Sequence, residues 1–337
     1  MIDLVVAGGG PAGLATAIHA ARAGLEVVVI EQRTSPIDKA CGEGLMPHAV
    51  RQLDLLGARP AGRQFRGVSY LDGNHCVTAE FESGPGLGVR RSTLHAALQS
   101  ESDAAGVSLV HDKVGAITQQ CDSLMVNGIR ARYLAAADGL HSPIRNDLGL
   151  QRPAGRSRRW GITRHIAVAP WSDCVEVYWS QRSEAYVTPV ADDCVGIAIL
   201  TSAQGRFEQH LAAFPGLRER IDGYPHQPDR GAGPLQQKVR RRVAGRVLLV
   251  GDAAGYVDAL TGEGLGLAFA AARLLVDSVL ADRPGDYEQQ WRRATRRYRL
   301  MTAAMLHASR SPLRSLIVPA ASGLPRVFAR VVNLLAD

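Results

Sequence analysis

The sequence predicts an α/β fold, α+β overall, in which a nucleotide-binding parallel sheet is interrupted by an antiparallel sheet and followed by C-terminal helices. Three observations carry this. A glycine-rich turn joins two apolar runs at the start, alternating runs fill 63–83 and 159–200, and the tail repeats apolar residues at helical spacing. The 337 residues, 46% hydrophobic and 21% charged, suit one large globular domain or two smaller ones. The opening "DLVVAG" reads as a strand rather than a signal peptide, and no apolar run approaches the ~20 residues that span a bilayer. The five cysteines are scattered and odd in number, without C-x-x-C spacing. That argues against a disulfide framework and a metal site, and for a cytoplasmic protein. Of the 39 basic residues only Lys39, Lys113 and Lys238 are lysine, and the net charge is +7. The excess reads as a solvated surface, with anionic ligands or a lipid surface as the alternative. No basic segment is interleaved with stacking aromatics, so nucleic acid is not an expected partner.

Taken in order, "LVVAG" and "EVVVIE" are buried strands, and "GLATAIHAARAG" between them is a helix closed by Gly24. The unit has the length of a βαβ crossover. Gly8, Gly10 and Gly13 fall at its turn as G-x-G-x-x-G, with Pro11 and Ala12 opening the helix. The three glycines serve a tight turn, close approach to a pyrophosphate and close helix–strand packing, as in a Rossmann-like dinucleotide site. Glu31, followed by Gln32 and Arg33, stands where an acid accepts from ribose hydroxyls. Residues 63–83 alternate about Asp72-Gly73, a hairpin signal. "RYLAAADGLHSPIRNDLG" runs a strand into Asp138-Gly139, and "GRVLLVGDAAGYVDALTGEGLGLAF" runs another into Gly251-Asp252 before a helix near Gly262. Between these lie "GITRHIAVAP", "CVEVYWS", "EAYVTPV" and "CVGIAIL", expected to form one antiparallel sheet with the hairpin. In the tail, Tyr287, Trp291, Ala294, Tyr298, Met301 and Met305 mark one apolar helix face.

The glycine loop, the Asp-Gly segment and the Gly-Asp segment together resemble the three fingerprints of the flavoprotein hydroxylase superfamily, that of p-hydroxybenzoate hydroxylase. The resemblance implies that FAD is the cofactor, with NAD(P)H as a transient electron donor. It implies that Asp138 and Gly139 lie near the pyrophosphate, that Gly251 and Asp252 meet the ribityl chain, and that Arg91 in "GVRRSTLHAAL" sits over the phosphate or ribityl region. "ACGEGLMPHAV" and "GDAAGYVDALTGEG" are similar to the geranylgeranyl reductase-like branch. They bring Cys41, Gly42 and Glu43, and Gly262, Glu263, Gly264 and Leu265, to the flavin. The prenyl-pocket segment of that branch, Tyr-x-Trp-x-Phe-Pro, is replaced: Tyr186 remains, a proline is kept only out of step at Pro189, Thr188 stands for the Trp, and the Phe is missing.

A flavin does the redox chemistry, and the protein supplies position and electrostatics. The helix after "LTGEG" offers the amides of Gly264 and Leu265 to negative charge on the ring. His165, Tyr186, Cys41 and Glu263 are the candidate catalytic side chains. Arg164, His165, Tyr178, Trp179, Tyr186 and Thr188 are the candidate pocket wall, with His165 as the base that would deprotonate a phenol. An NAD(P)H-dependent monooxygenase that uses molecular oxygen on a small aromatic or polyketide-like apolar substrate ranks first. An FAD-dependent reductase of carbon–carbon double bonds in a lipid or prenyl substrate ranks second, and a non-catalytic flavin-binding module third. The expected division is 1–62, 84–158 and 235–285 for the FAD-binding domain, 63–83 and 159–234 for a substrate-binding β-sheet domain, and 286–337 for a helical segment. The segment after Pro312, basic and apolar, has two uses open to it: cover for a substrate channel, or peripheral contact with a membrane.

Overall fold

The computed structural model describes residues 1–153 and 158–337; the domain boundary expected at 158 abuts residues 154–157, which lie outside the described residues. The glycine-loop unit forms as the pattern requires. The strand Ile2–Ala7 pairs in parallel with Val27–Ile30 on one side and with Ile129–Ala136 on the other, and the helix Pro11–Arg22 bridges the first two. Val247–Leu249 and Ser108–Val110 extend the parallel array outward. Helices cover both faces of such a sheet, so its strands read as continuous apolar runs. Leu4, Val5 and Val6 are fully buried, and the long helix Gly264–Leu280 packs its Phe269, Ala272 and Leu275 into the same core.

The alternating segments build a second sheet of seven strands, in the order Arg230–Ala232, Trp160–Ile166, Cys194–Thr201, Ser183–Ala191, Val175–Trp179, Gly67–Leu71, Cys76–Glu80. The hairpin turns at Asp72-Gly73, where Gly73 takes φ +93°. The sheet departs from the expectation in two ways. Val175–Trp179 pairs with Gly67–Leu71 in parallel, because the chain makes a long crossover between them. Arg63–Phe65 leaves the hairpin for a three-stranded sheet with Gly44–Leu45 and Gly86–Gly88. The pleat gives the seven-stranded sheet two buried faces. Ala185, Val187, Ile197 and Ile199 pack under the short helices Phe207–Leu211 and Pro215–Ile221, while Tyr186, Thr188, Ala198 and Leu200 face the interior toward the first sheet's strand ends.

The tail helix Pro284–Arg310 buries Tyr287, Trp291 and Tyr298 as expected, but its stripe then runs through Thr295, Thr302, Leu306 and Ser309; Ala294 is exposed and Met301 and Met305 are half-buried. The threonines fit because their hydroxyls are satisfied: Thr295 donates to the Trp291 carbonyl at 2.9 Å, and Thr302 pairs with Thr261 at 3.0 Å. The chain then returns over the second sheet. Arg314, nearly buried, binds the Glu184 carboxylate at 2.6 Å and the carbonyls of Ser180, Ser183 and Ser309. The last helix, Pro325–Ala336, lies on the edge strand Cys76–Glu80, where Asn333 donates to the Glu80 carbonyl and accepts from the Glu82 amide, both at 2.9 Å. Among the described residues no single helix is long and apolar enough to cross a membrane; Pro312–Gly323 and Pro325–Ala336 reach that length and composition only as a pair bent by 104°. Because the edge strand depends on this amide, Asn333→Ala should cost about 1–3 kcal/mol by urea denaturation and speed proteolysis of the tail.

Candidate functional site

The three glycines divide the work of the turn. Gly8 takes φ +108°, and a Cβ there would stand 2.6 Å from the Ala137 carbonyl oxygen. A Cβ on Gly13 would stand 1.9 Å from the Gly8 oxygen, so the helix can approach the strand only without it. Gly10 differs. It is the N-cap of the helix, and its hypothetical Cβ meets only the Arg91 guanidinium, 4.0 Å away, in an open cleft. Pro11 and Ala12 line that cleft beside it. The helix start has no side-chain cap and no acid in its first turn, so its amides remain available to an anion.

The cleft encloses about 630 Å³ and runs from this loop to the face of the second sheet. Arg33, Lys39 and Arg91 give its loop end positive charge. Loss of hydration, and then the neighbouring Arg33 and Arg91, hold the Lys39 ammonium below its ordinary value. Asp138 accepts from the Ile144 amide with one oxygen, and its other oxygen is buried without a partner. Arg91 Nε is likewise buried and unpartnered. The Asp252 carboxyl faces the cleft, pushed up by burial against the pull of Arg91, Lys39 and Arg145. Gly139, Gly251 and Gly262 take φ of +86°, +63° and +73° at the turns between. The helix Gly264–Leu280 starts at the cleft without a side-chain cap, with Gly264 and Leu265 on the lining. Uncapped helix starts, a cationic mouth and unpaired acceptors suit a ligand that carries a pyrophosphate, hydroxyls and an electron-accepting ring.

The FAD binding domain family matches residues 84–285, and a second pattern, that of FAD dependent oxidoreductases, matches residues 3–36. The chain belongs to the FAD binding domain family. It is an FAD-dependent oxidoreductase. Among curated relatives, the menaquinone reductase of Mycobacterium tuberculosis is 28% identical over 84% of this chain and 80% of its own length. Digeranylgeranylglycerophospholipid reductase 1 of Methanothermobacter thermautotrophicus is 26% identical over 86% of this chain and 81% of its own length. Among solved structures, the flavin-dependent brominase Bmp2 matches with a TM-score of 0.84 and 16% identity over 99% of this chain and 93% of that one, a likeness of fold.

Not all the residues expected in this FAD-binding chain's site are on the cleft. Glu31 is not on the lining: its carboxylate holds the loop, accepting from the Gly9 and Arg33 amides at 2.9 Å each. Gln32 is exposed beside it. Tyr186 and Thr188 line the sheet side, but Arg164 and Tyr178 lie on the other face, since the pleat alternates. Arg164 binds Asp229 and Glu208 and stacks over Phe207 at 4.1 Å, and Tyr178 donates to Glu176 at 2.6 Å. Trp179 points to the inner face but lies past the cavity, against Tyr70 and Arg314. His165 also points inward and is covered by Glu43, its Nε2 donating to the Glu43 carboxylate at 2.7 Å. The other Glu43 oxygen accepts from the Arg91 amide at 2.7 Å, and Glu43 itself holds the left-handed φ of +59°. Cys41 lines the cleft, its thiol pushed up by burial. Glu263 does not: it is buried behind the helix start with one oxygen unpartnered, and burial pushes it up to about 8.

Two residues that the motifs did not single out complete the site. Arg145, fully buried, ties the Asp138 segment to the Asp252 segment through the carbonyls of Leu140, Asp252 and Ala253. His95 holds the Gly9 carbonyl with Nε2 at 2.8 Å. Two predictions follow from these contacts. Gly10→Val should fold and melt cooperatively but purify without flavin, whereas Gly13→Ala should lose at least about 1–3 kcal/mol of stability from the clash. Absorbance at purification and a denaturant melt separate the two. Glu263 is raised above the ordinary carboxylic value of 4.5 in the folded chain. Its contribution is therefore present below pH 4.5 and is lost as pH rises toward about 8. Glu263→Gln should flatten that slope, gaining on the parent protein at alkaline pH, as thermal melts from pH 5 to pH 9 would show.

Proposed function

We propose that this chain is an FAD-dependent reductase of carbon–carbon double bonds in an apolar lipid of polyisoprenoid type. The observation that carries this is the state of the polar groups on the sheet wall. Tyr186 donates to the Leu260 carbonyl and Thr188 to the Gly42 carbonyl, both at 2.9 Å, and His165 is covered by Glu43. Burial pushes the Tyr186 phenol well above its ordinary value, so it stays a donor to that carbonyl. The wall around them is mainly apolar, with Met46, Val68, Val175, Val177 and Leu200, and among the described residues its Tyr70 phenol and Thr163 hydroxyl are without a hydrogen-bond partner. Deprotonating a phenol would need a free base here, and the His165 imidazole is taken up by Glu43. A hydrocarbon chain needs only apolar contact. The relatives named as reductases support a reductase, and we rank it above the monooxygenase.

Gly10, Pro11 and the helix start would bind the pyrophosphate, Arg91 would neutralise it, and Asp138 and Asp252 would accept from hydroxyls. Held there, FAD reduced by a nicotinamide donor would supply a hydride. The amides of Gly264 and Leu265 favour negative charge at the ring. The second carbon of the double bond then needs a proton. Cys41, whose thiol burial keeps protonated, and the Glu43–His165 pair are the proton-bearing groups at that end of the cleft. The main-chain bond from Arg91 fixes the Glu43 carboxylate, so the pair can hold a proton in one place. Met46, Val68 and their neighbours exclude water while this happens.

Under anaerobic conditions, the reduced holoenzyme mixed with geranylgeranyl diphosphate should reoxidise its flavin and return a product with two hydrogens added. Reoxidation by oxygen alone, with a hydroxylated aromatic product, would overturn the proposal. Glu43→Gln should slow the step that follows flavin reduction by about 10²-fold or more, as loss of an acid–base group does, and leave the rate of flavin reduction by NAD(P)H unchanged.

A further inference from the structure

Between Glu288 and Asp337 the chain carries nine arginines and no acid. Within that stretch Leu313, Leu316, Leu324 and Val327 are 64%, 55%, 60% and 57% exposed. With the exposed Ala320 they follow one another at steps of three, four, four and three residues, so they share an outer side on each arm of the bend between Pro312–Gly323 and Pro325–Ala336. The inner side of the same arms is spent on the protein: Val318, Phe328 and Val332 are buried against the second sheet's core. Arg326 and Arg330 are exposed on the helix turns next to Val327, and among the described residues neither forms an ion pair.

We propose that this bend is a docking surface for an anionic lipid bilayer, through which the chain lies on a membrane without crossing it. The leucines reach the acyl boundary and the arginines meet the headgroup phosphates, the division of labour of an interfacial amphipathic element. Arg314, locked to Glu184, and Asn333, locked to the edge strand, hold the bend rigid against the body, so its apolar side is presented rather than folded away. The same last helix also walls the cleft with Val332 and Leu335. Five residues separate Val327 from Val332, about 8 Å at ~1.5 Å per residue. The docking surface and the apolar cavity are thus two sides of one helix. The surface stands on exposure and charge alone and does not depend on the reaction at the flavin.

The test uses the FAD-loaded full chain with sedimented vesicles of phosphatidylcholine containing 30% phosphatidylglycerol, and with pure phosphatidylcholine. Binding is expected to the anionic vesicles, weakened by salt and at least several-fold weaker on the neutral ones. Leu316→Ser with Val327→Ser should lower the partition by roughly tenfold or more, with flavin content unchanged. Arg326→Gln with Arg330→Gln should lower it on anionic vesicles only. No binding at low ionic strength, or binding untouched by the leucine–valine pair, would overturn the proposal. So would light scattering that shows a dimer which the same pair of serines converts to a monomer, for then a second copy occupies the surface.

Discussion

The cofactor half depends on one close approach. The main chain at Gly8, the helix at Gly13 and the strand end at Ala137 meet so tightly that no side chain fits at either glycine. Because the helix sits that low, its first amides open onto the cleft, and Gly10 is left facing empty space rather than protein. The second-level supports exist to keep this geometry. Glu31 takes the Gly9 amide and His95 takes the Gly9 carbonyl, so the peptide at the tip of the loop is held from both ends. Arg145 does the same for the two acidic segments opposite, meeting the carbonyls of Leu140, Asp252 and Ala253.

The wall built by the second sheet follows from a different constraint, the need to satisfy polar groups inside an apolar lining. The second sheet buries both faces, so each hydroxyl or imidazole turned inward needs a partner. Tyr186 and Thr188 find main-chain carbonyls in the loops of the first domain, at Leu260 and Gly42. Those bonds also dock the sheet onto the flavin segments. At these two residues, satisfying the wall and joining the two halves are one set of contacts, and the lining beside them is mainly hydrocarbon, with the Tyr70 phenol and the Thr163 hydroxyl as polar groups on it.

These differences decide what could be read in the sequence. The glycine turn, the two Asp-containing segments, the hairpin at Asp72-Gly73 and the uncapped helix at Gly264 were all legible, because each is a local backbone demand with a residue type that answers it. The face of a strand was harder. Alternation shows that His165 and Arg164 point opposite ways, but only the packed sheet tells which side holds the cavity. Longer-range partners were out of reach. Glu43 and His165 are 122 residues apart, and nothing local pairs them. An acid between glycines in "CGEG" was a signal of sorts, as was Arg145 beside the Asp138 segment, yet their roles are set by carbonyls and rings elsewhere in the chain. In the tail, the helical period was right and the residues on it shifted, because threonines whose hydroxyls find a partner inside the protein, Thr295 on its own helix and Thr302 on Thr261, pass for apolar.

The arginine bias acquires a structural meaning from its interior members. Arg145, Arg159, Arg242 and Arg314 are buried or nearly so, and each reaches main-chain oxygens, carboxylates or both. Arg242 also stacks on Trp291 at 3.9 Å while its Nε meets the Ala254 carbonyl. A planar fork of donors, weakly hydrated, is suited to such places where an ammonium is not. These side chains fasten the tail to the flavin segments and the sheet, consuming the acids within reach: Glu184, Asp258 and Glu288. The arginines of the outer tail are left with no acid of their own between Glu288 and Asp337. The positive surface there is thus the counterpart of a neutralised interior, and it falls where the exposed leucines are.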